Sequence, residues 1–277
     1  MAIHATPEST PSVNYDDIHH SKHHAEQIEH LEKLKPTPSQ FEKLYLAPET
    51  PVAGNLRWTF GNPTPIALGG FLLANTPASI MLMGWSGAGG GTGNASAGTG
   101  TYFFLGAVLL YAGGIGEWIL GNTFPAVVFF TFGGFWGAFG ATLTPFFNVI
   151  AGYGDDVAAF YRSFAMFLIW MMVLCIFYAI AALRTNVCLV AILVCFVVTF
   201  PCLAASYFYA ANGMLAISAT VRIAGGAFSF IASLIAWYLW FSMILESVDF
   251  PVALPVGDLT KFIKGRSEMA KSQREMA

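Results

Sequence analysis

From Ile66 to Leu245 the only charged side chains are Glu117, Asp155, Asp156, Arg162, Arg184 and Arg222. A soluble domain carries charge on about a quarter of its residues. A stretch this long and this poor in charge belongs in hydrocarbon, and it reads as a polytopic membrane domain. The whole chain of 277 residues agrees, with 56% hydrophobic residues, 10% charged and a mean hydropathy of +0.60. Apolar runs near residues 66–85, 101–120, 125–147, 164–183, 187–210 and 222–245 predict an all-α integral membrane protein of six transmembrane helices. Each run has about 20 residues, enough to cross roughly 30 Å at 1.5 Å per residue.

The polar residues divide the chain. Residues 1–56 read as a polar, disordered leader, 57–250 as the transmembrane domain and 251–277 as a tail. The leader has no apolar core of the kind a secretory signal needs. It holds all six histidines, including His19-His20-Ser21-Lys22-His23-His24, which a solvated segment tolerates without binding metal. Residues 22–34 read as a short helix, and Thr37 and Ser39 as candidate modification sites. All Lys and Arg except Arg162, Arg184 and Arg222 lie at or before Arg57 or at or after Lys261. An even number of spans and this bias place both termini in the cytoplasm. Asn94-Ala95-Ser96 then falls outside, where it fits a glycosylation acceptor. No basic block points to nucleic acid, and no catalytic, phosphate-loop or zinc-type spacing points to an enzyme.

A few residues inside or beside the spans invite a chemical role. Asn62 is a good helix N-cap with Pro63 as the first helical residue. That arrangement either simply starts the first helix or presents its N-terminal amides to an anion. Glu117 is the one acid within the second span, and a membrane acid is paired, protonated or turned to water. Asn122, Thr123 or the Gly121 turn are its expected partners, and a proton-binding and a structural role stay equally open. Arg222 at the start of the last span either anchors at the interface or draws anions to a vestibule. The phenylalanines around Phe132 and Phe135 pack the third span or narrow a pore. Cys188, Cys195 and Cys202 are spaced by seven and share one stripe with no His or acid beside them, which favours packing over metal. The glycines of Gly113-Gly114, Gly133-Gly134 and Gly225-Gly226 suit close helix contacts.

Taken together, several segments resemble the acetate uptake transporter family of bacteria and fungi. Its first-helix signature, Asn-Pro-Ala-Pro-Leu-Gly-Leu, reads here Asn62-Pro63-Thr64-Pro65-Ile66-Ala67-Leu68. Glu117 followed by Gly121-Asn122-Thr123-Phe124, then Phe132-Gly133-Gly134-Phe135-Trp136, then Leu254-Pro255-Val256-Gly257-Asp258 are similar to further family segments. The resemblance extends over about residues 62–258 and suits a divergent fungal member. It implies six helices around a central path, assembled as a homo-hexamer. It implies passage of acetate and other short monocarboxylates, with protons or through a channel; the positive-inside topology and the lack of a retention signal point to the plasma membrane, and no cofactor is expected. Ammonium export is the alternative it carries. By this resemblance Asn62 and Thr64 lie at a substrate site, and Phe71, Phe132 and Phe196 form an apolar constriction. Departures are Thr64 for alanine, Ala67 for glycine, Asn75-Thr76 for paired threonines, and Phe132 for a tyrosine whose hydroxyl could meet a carboxylate. A rival of a different class is a membrane sensor or scaffold working through the leader.

Overall fold

The computed structural model describes residues 60–260 with Phe262, Ile263 and Met269. The expectations for the histidine run, the helix at 22–34 and Thr37 and Ser39 lie outside the described residues. Six helices are long and apolar enough to span a bilayer: α1 Thr64–Met83, α2 Ser96–Ile119, α3 Thr123–Leu143, α4 Val157–Ala182, α5 Val187–Ala211 and α6 Leu215–Ser247. Among the described residues the only extended pairing is an isolated bridge between Asn186 and Asp258. The protein is therefore an all-α, multi-pass membrane protein.

Local chemistry explains where the helices stop and start. α1 ends at Gly84, whose φ of 73° lets its N–H turn back to the carbonyls of Ile80 and Met81. Asp156 caps α4 by accepting from the Ala159 amide at 2.9 Å, and Asn186 caps α5 by accepting from the Leu189 amide at 2.8 Å. A π-helical turn, Tyr102–Ala107, interrupts α2. Two helices begin seven residues earlier than hydropathy indicates. α4 starts at Val157 rather than 164, because Asp156 supplies the cap and Arg162 reaches Asn212 Oδ1 at 3.2 Å. α6 starts at Leu215 rather than 222, straight after a tight turn at Gly213 with φ 74°. At 33 residues α6 is about 50 Å long and overshoots a hydrocarbon slab of about 30 Å.

The helices form a closed ring. α1 packs on α2, α2 on α3, α4 on α5, α5 on α6 and α6 back on α1. α3 meets α4 through the rings of Phe135 and Phe167 and through a 3.0 Å hydrogen bond between Thr131 and Tyr178. Small residues set the α1–α2–α3 distances within the chain. A Cβ at Gly70 would lie 2.4 Å from the Leu105 carbonyl, and one at Gly133 would lie 3.3 Å from that of Ala107. Large side chains such as Phe104, Trp118, Trp170 and Phe177 point outward, as a lipid-facing surface requires. The four cysteines are free thiols, and Cys202 packs beside Gly225. After α6 the chain folds back. Val256 is buried, Gly257 O accepts from the Val187 amide at 2.8 Å, and the Leu259 amide donates to Thr185 O at 2.9 Å.

Candidate functional site

Along α1, Phe71 points into the ring. Its aromatic ring lies 6.5 Å from that of Phe132 on α3 and 5.8 Å from that of Phe196 on α5. Phe132 and Phe196 are 5.6 Å apart, so the three rings touch mutually and close the centre of the ring of helices. All three are buried. These distances and angles are those of edge and tilted aromatic contacts. The structure thus brings together three residues from three helices that lie far apart in sequence.

Immediately beyond this neck lies a cavity of about 250 Å³. Its walls include the three phenylalanines, Asn75, Thr199 and Tyr207, and its rim includes Thr92 to Ala95 from the glycine-rich segment after α1. Most of the wall is aromatic or aliphatic, with a few polar groups, the usual make-up of a small-molecule site. Asn75, which the sequence marks only as a departure from the family's paired threonines, is one polar group of this wall. It stands one turn after Phe71, is buried, and donates to Ser229 O at 3.1 Å and Ser233 Oγ at 2.8 Å, while Ser229 Oγ donates to its Oδ1 at 3.1 Å. An asparagine in the middle of an apolar span, four residues after a neck phenylalanine, was the signal available.

At the N-terminal end of α1 sits a second polar group. Asn62 is half-buried, and its Oδ1 accepts from the Thr64 amide at 3.0 Å. The helix starts at Thr64 with Pro63 as the residue before it, one position later than the capping pattern indicates. Asn62 therefore spends its acceptor on one of the free amides of the first turn. Thr64 is buried, and its hydroxyl donates to Glu117 Oε1. Asn122 Nδ2 donates to Glu117 Oε2 at 2.7 Å. The expected Asn122 partner is present, and Thr64 is a second partner that the sequence does not signal. Arg222 donates to main-chain carbonyls at the end of α1 and in the following segment. Asn94 is exposed at the cavity rim, and its Oδ1 accepts from the Ser96 amide. Among the described residues no cluster of His, Cys, Asp or Glu could hold a metal.

Residues 46–261 match the GPR1/FUN34/yaaH family. The chain belongs to that family. It is 45% identical over 232 residues to the protein alcS of Aspergillus fumigatus, covering 80% of this chain and 84% of that one. It is 34% identical over 201 residues to the acetate transporter protein patA of Aspergillus clavatus, covering 73% and 79%. Among solved structures, the bacterial acetate channel SatP superposes with a TM-score of 0.57 at 22% identity, covering 72% of this chain and 99% of that one. At that identity the likeness concerns the fold. The GPR1/FUN34/yaaH fold thus has its six-helix ring here, with the aromatic neck and cavity at its centre.

Proposed function

We propose that this member of the family carries acetate and other short monocarboxylates across the plasma membrane, as a proton-linked transporter or a channel. The observation that carries the reading is the Phe71–Phe132–Phe196 neck in the middle of the ring, flanked by a cavity on one side and by the Thr64–Glu117–Asn122 group toward the other end of α1. A carboxylate is small enough for a cavity of this size. An aromatic neck passes it most easily as the neutral acid, because an unpaired charge is costly in an apolar setting. Carboxylic acids titrate near pH 4, so an acidic outside raises the neutral share. Glu117 is the proton-binding candidate of this scheme, and Asn62 and Thr64 form its inner substrate site. The patA and SatP names support acetate as the solute. The basic termini support a cytoplasmic placement of both ends. The protomer works as part of a homo-hexamer and carries no enzymatic activity.

Uptake of labelled acetate into proteoliposomes, with and without an inward proton gradient, tests the proposal. Saturable uptake that the gradient enhances is the expected result. Ammonium is the competing solute. Release of ammonium with no acetate uptake would replace the carboxylate reading, and absence of both fluxes from folded protein would end the transport reading.

A further inference from the structure

The segment Trp85–Asn94 covers the end of α1 and supplies the cavity rim, yet half of it is glycine and it has little side chain with which to hold itself. Gly87, Gly89, Gly90, Gly91 and Gly93 all have positive φ. What holds it is Arg222 of α6. Nη1 donates to Leu82 O at 2.6 Å, a carbonyl in the last turn of α1, and Nη2 donates to Gly91 O at 2.9 Å. One planar guanidinium therefore ties the end of a helix to the loop that follows it, a two-pronged geometry that an ammonium cannot copy. Gly93 lies against the same group: a Cβ there would fall 2.0 Å from Nη1. Leu82 and Gly93, the residues on either side of the guanidinium, both line the cavity. Both acceptors are neutral carbonyls, so these two bonds leave the charge of the guanidinium uncompensated.

We propose that Arg222 is the residue that selects anions at the mouth of the cavity and, through the same guanidinium, the clasp that holds residues 85–94 as its rim. The charge half of this proposal rests on the carboxylate reading above; the clasp half does not. A cationic group beside a low-dielectric cleft raises the local concentration of small anions, and the effect fades with salt. At Gly93 size is restricted, because the guanidinium fills the space that a Cβ would occupy.

The test uses full-length protein in proteoliposomes at neutral pH, with labelled acetate as the probe, and compares the native chain with Arg222→Gln and Arg222→Lys. At an ionic strength of about 0.01 M, Arg222→Gln raises the half-saturating acetate concentration about three- to tenfold while the maximal rate stays within about twofold. At about 1 M, where the screening length is about 3 Å, that difference closes. Arg222→Lys keeps the half-saturating concentration near the native value because the charge remains. Hydrogen exchange of residues 84–95, read by mass spectrometry, accelerates in both variants because neither side chain bridges Leu82 and Gly91. Gly93→Ala, which leaves the charge in place, accelerates it too and serves if Arg222→Gln does not fold. An unchanged half-saturating concentration in Arg222→Gln at low salt, or unchanged exchange in Gly93→Ala, overturns the proposal. Native protein that takes up no acetate overturns the carboxylate reading instead, and the exchange measurement still decides the clasp.

Discussion

Thr64 and Glu117 stand 53 residues apart in the chain, and the threonine hydroxyl donates directly to the glutamate carboxyl inside the membrane domain. Asn122 holds the other carboxyl oxygen from the α2–α3 turn. One acid thus fastens the start of α1 to the end of α2 and to the turn that leads into α3. An acid in hydrocarbon is costly unless its oxygens are satisfied, and this arrangement satisfies both.

Removing that acid should cost stability in proportion to the donors left behind. Glu117→Ala leaves the Thr64 hydroxyl and the Asn122 amide without this acceptor, at about 2 kcal/mol or more. Glu117→Gln keeps a carbonyl for Thr64 and costs about 1 kcal/mol, provided the Asn122 amide turns over to face the new NH₂ group. Thermal unfolding in detergent micelles ranks the two. Proton-gradient enhancement of acetate uptake that survives in Glu117→Gln would remove Glu117 as the proton-binding group.

The residues that were readable and those that were not differ in a physical way. The six spans were legible because a charge-poor run of about 20 residues has few other uses. Their starts were less so at α4 and α6. Hydropathy stops at Arg162 and Arg222, while the helix continues past each because the guanidinium finds an acceptor: Asn212 for the first, Leu82 and Gly91 for the second. The Asn122–Glu117 contact spans five residues and could be foreseen; the Thr64–Glu117 contact is tertiary and could not. Phe71, Phe132 and Phe196 came from family resemblance, since nothing in an apolar helix distinguishes a phenylalanine facing the centre from one facing lipid. Asn75 stands out in the sequence only as a departure from paired threonines; its place was legible too, because a polar side chain in mid-span needs partners and α6 provides them.

Close helix contacts make a sharp contrast between two glycines. A Cβ at Gly70 would lie 2.4 Å from the Leu105 carbonyl and 2.5 Å from Leu109 Cβ, so α1 and α2 must separate. Gly70→Ala is expected to destabilise by about 2 kcal/mol. A Cβ at Gly137 would lie 3.8 Å from Ala107 Cβ, an ordinary contact. Gly137→Ala is therefore neutral or stabilising, as alanine favours the helix by up to about 1 kcal/mol. Melting temperatures of the two variants in one detergent check the order, and equal losses would refute it.

Residues after α6 strap the α4–α5 turn. Gly257 has φ 76°, and a Cβ there would lie 2.8 Å from Val187 Cγ2. Its carbonyl receives the Val187 amide, one of the N-terminal amides that α5 cannot pair internally. Gly257→Val should lift the strap and expose residues 183–187. Hydrogen exchange should rise there and on residues 254–259, while the amides of α1 stay protected. Rapid exchange across every helix would instead mean that the strap is needed for the whole fold.

The neck offers the most direct functional test. Phe71 touches both Phe132 and Phe196, and Phe196 also packs obliquely on Phe200 at 5.7 Å. Phe71→Ala removes the α1 ring and leaves Phe132 and Phe196 in contact. The opening joins the cavity to the space beyond the neck, so flux should rise. The ratio of propanoate to acetate uptake should rise as well, because one methylene changes discrimination by about 1–3 kcal/mol only where the wall is tight. Phe132→Tyr should act in the opposite sense. It keeps the ring, adds a hydroxyl able to donate to a carboxylate, and should lower the half-saturating acetate concentration at neutral pH more than at acid pH, where the solute is largely neutral. Proteoliposome uptake of both acids, measured at the two pH values for each variant, reads all of this in one series. If Phe71→Ala leaves rate and propanoate-to-acetate ratio unchanged in folded protein, the solute does not cross between these three rings.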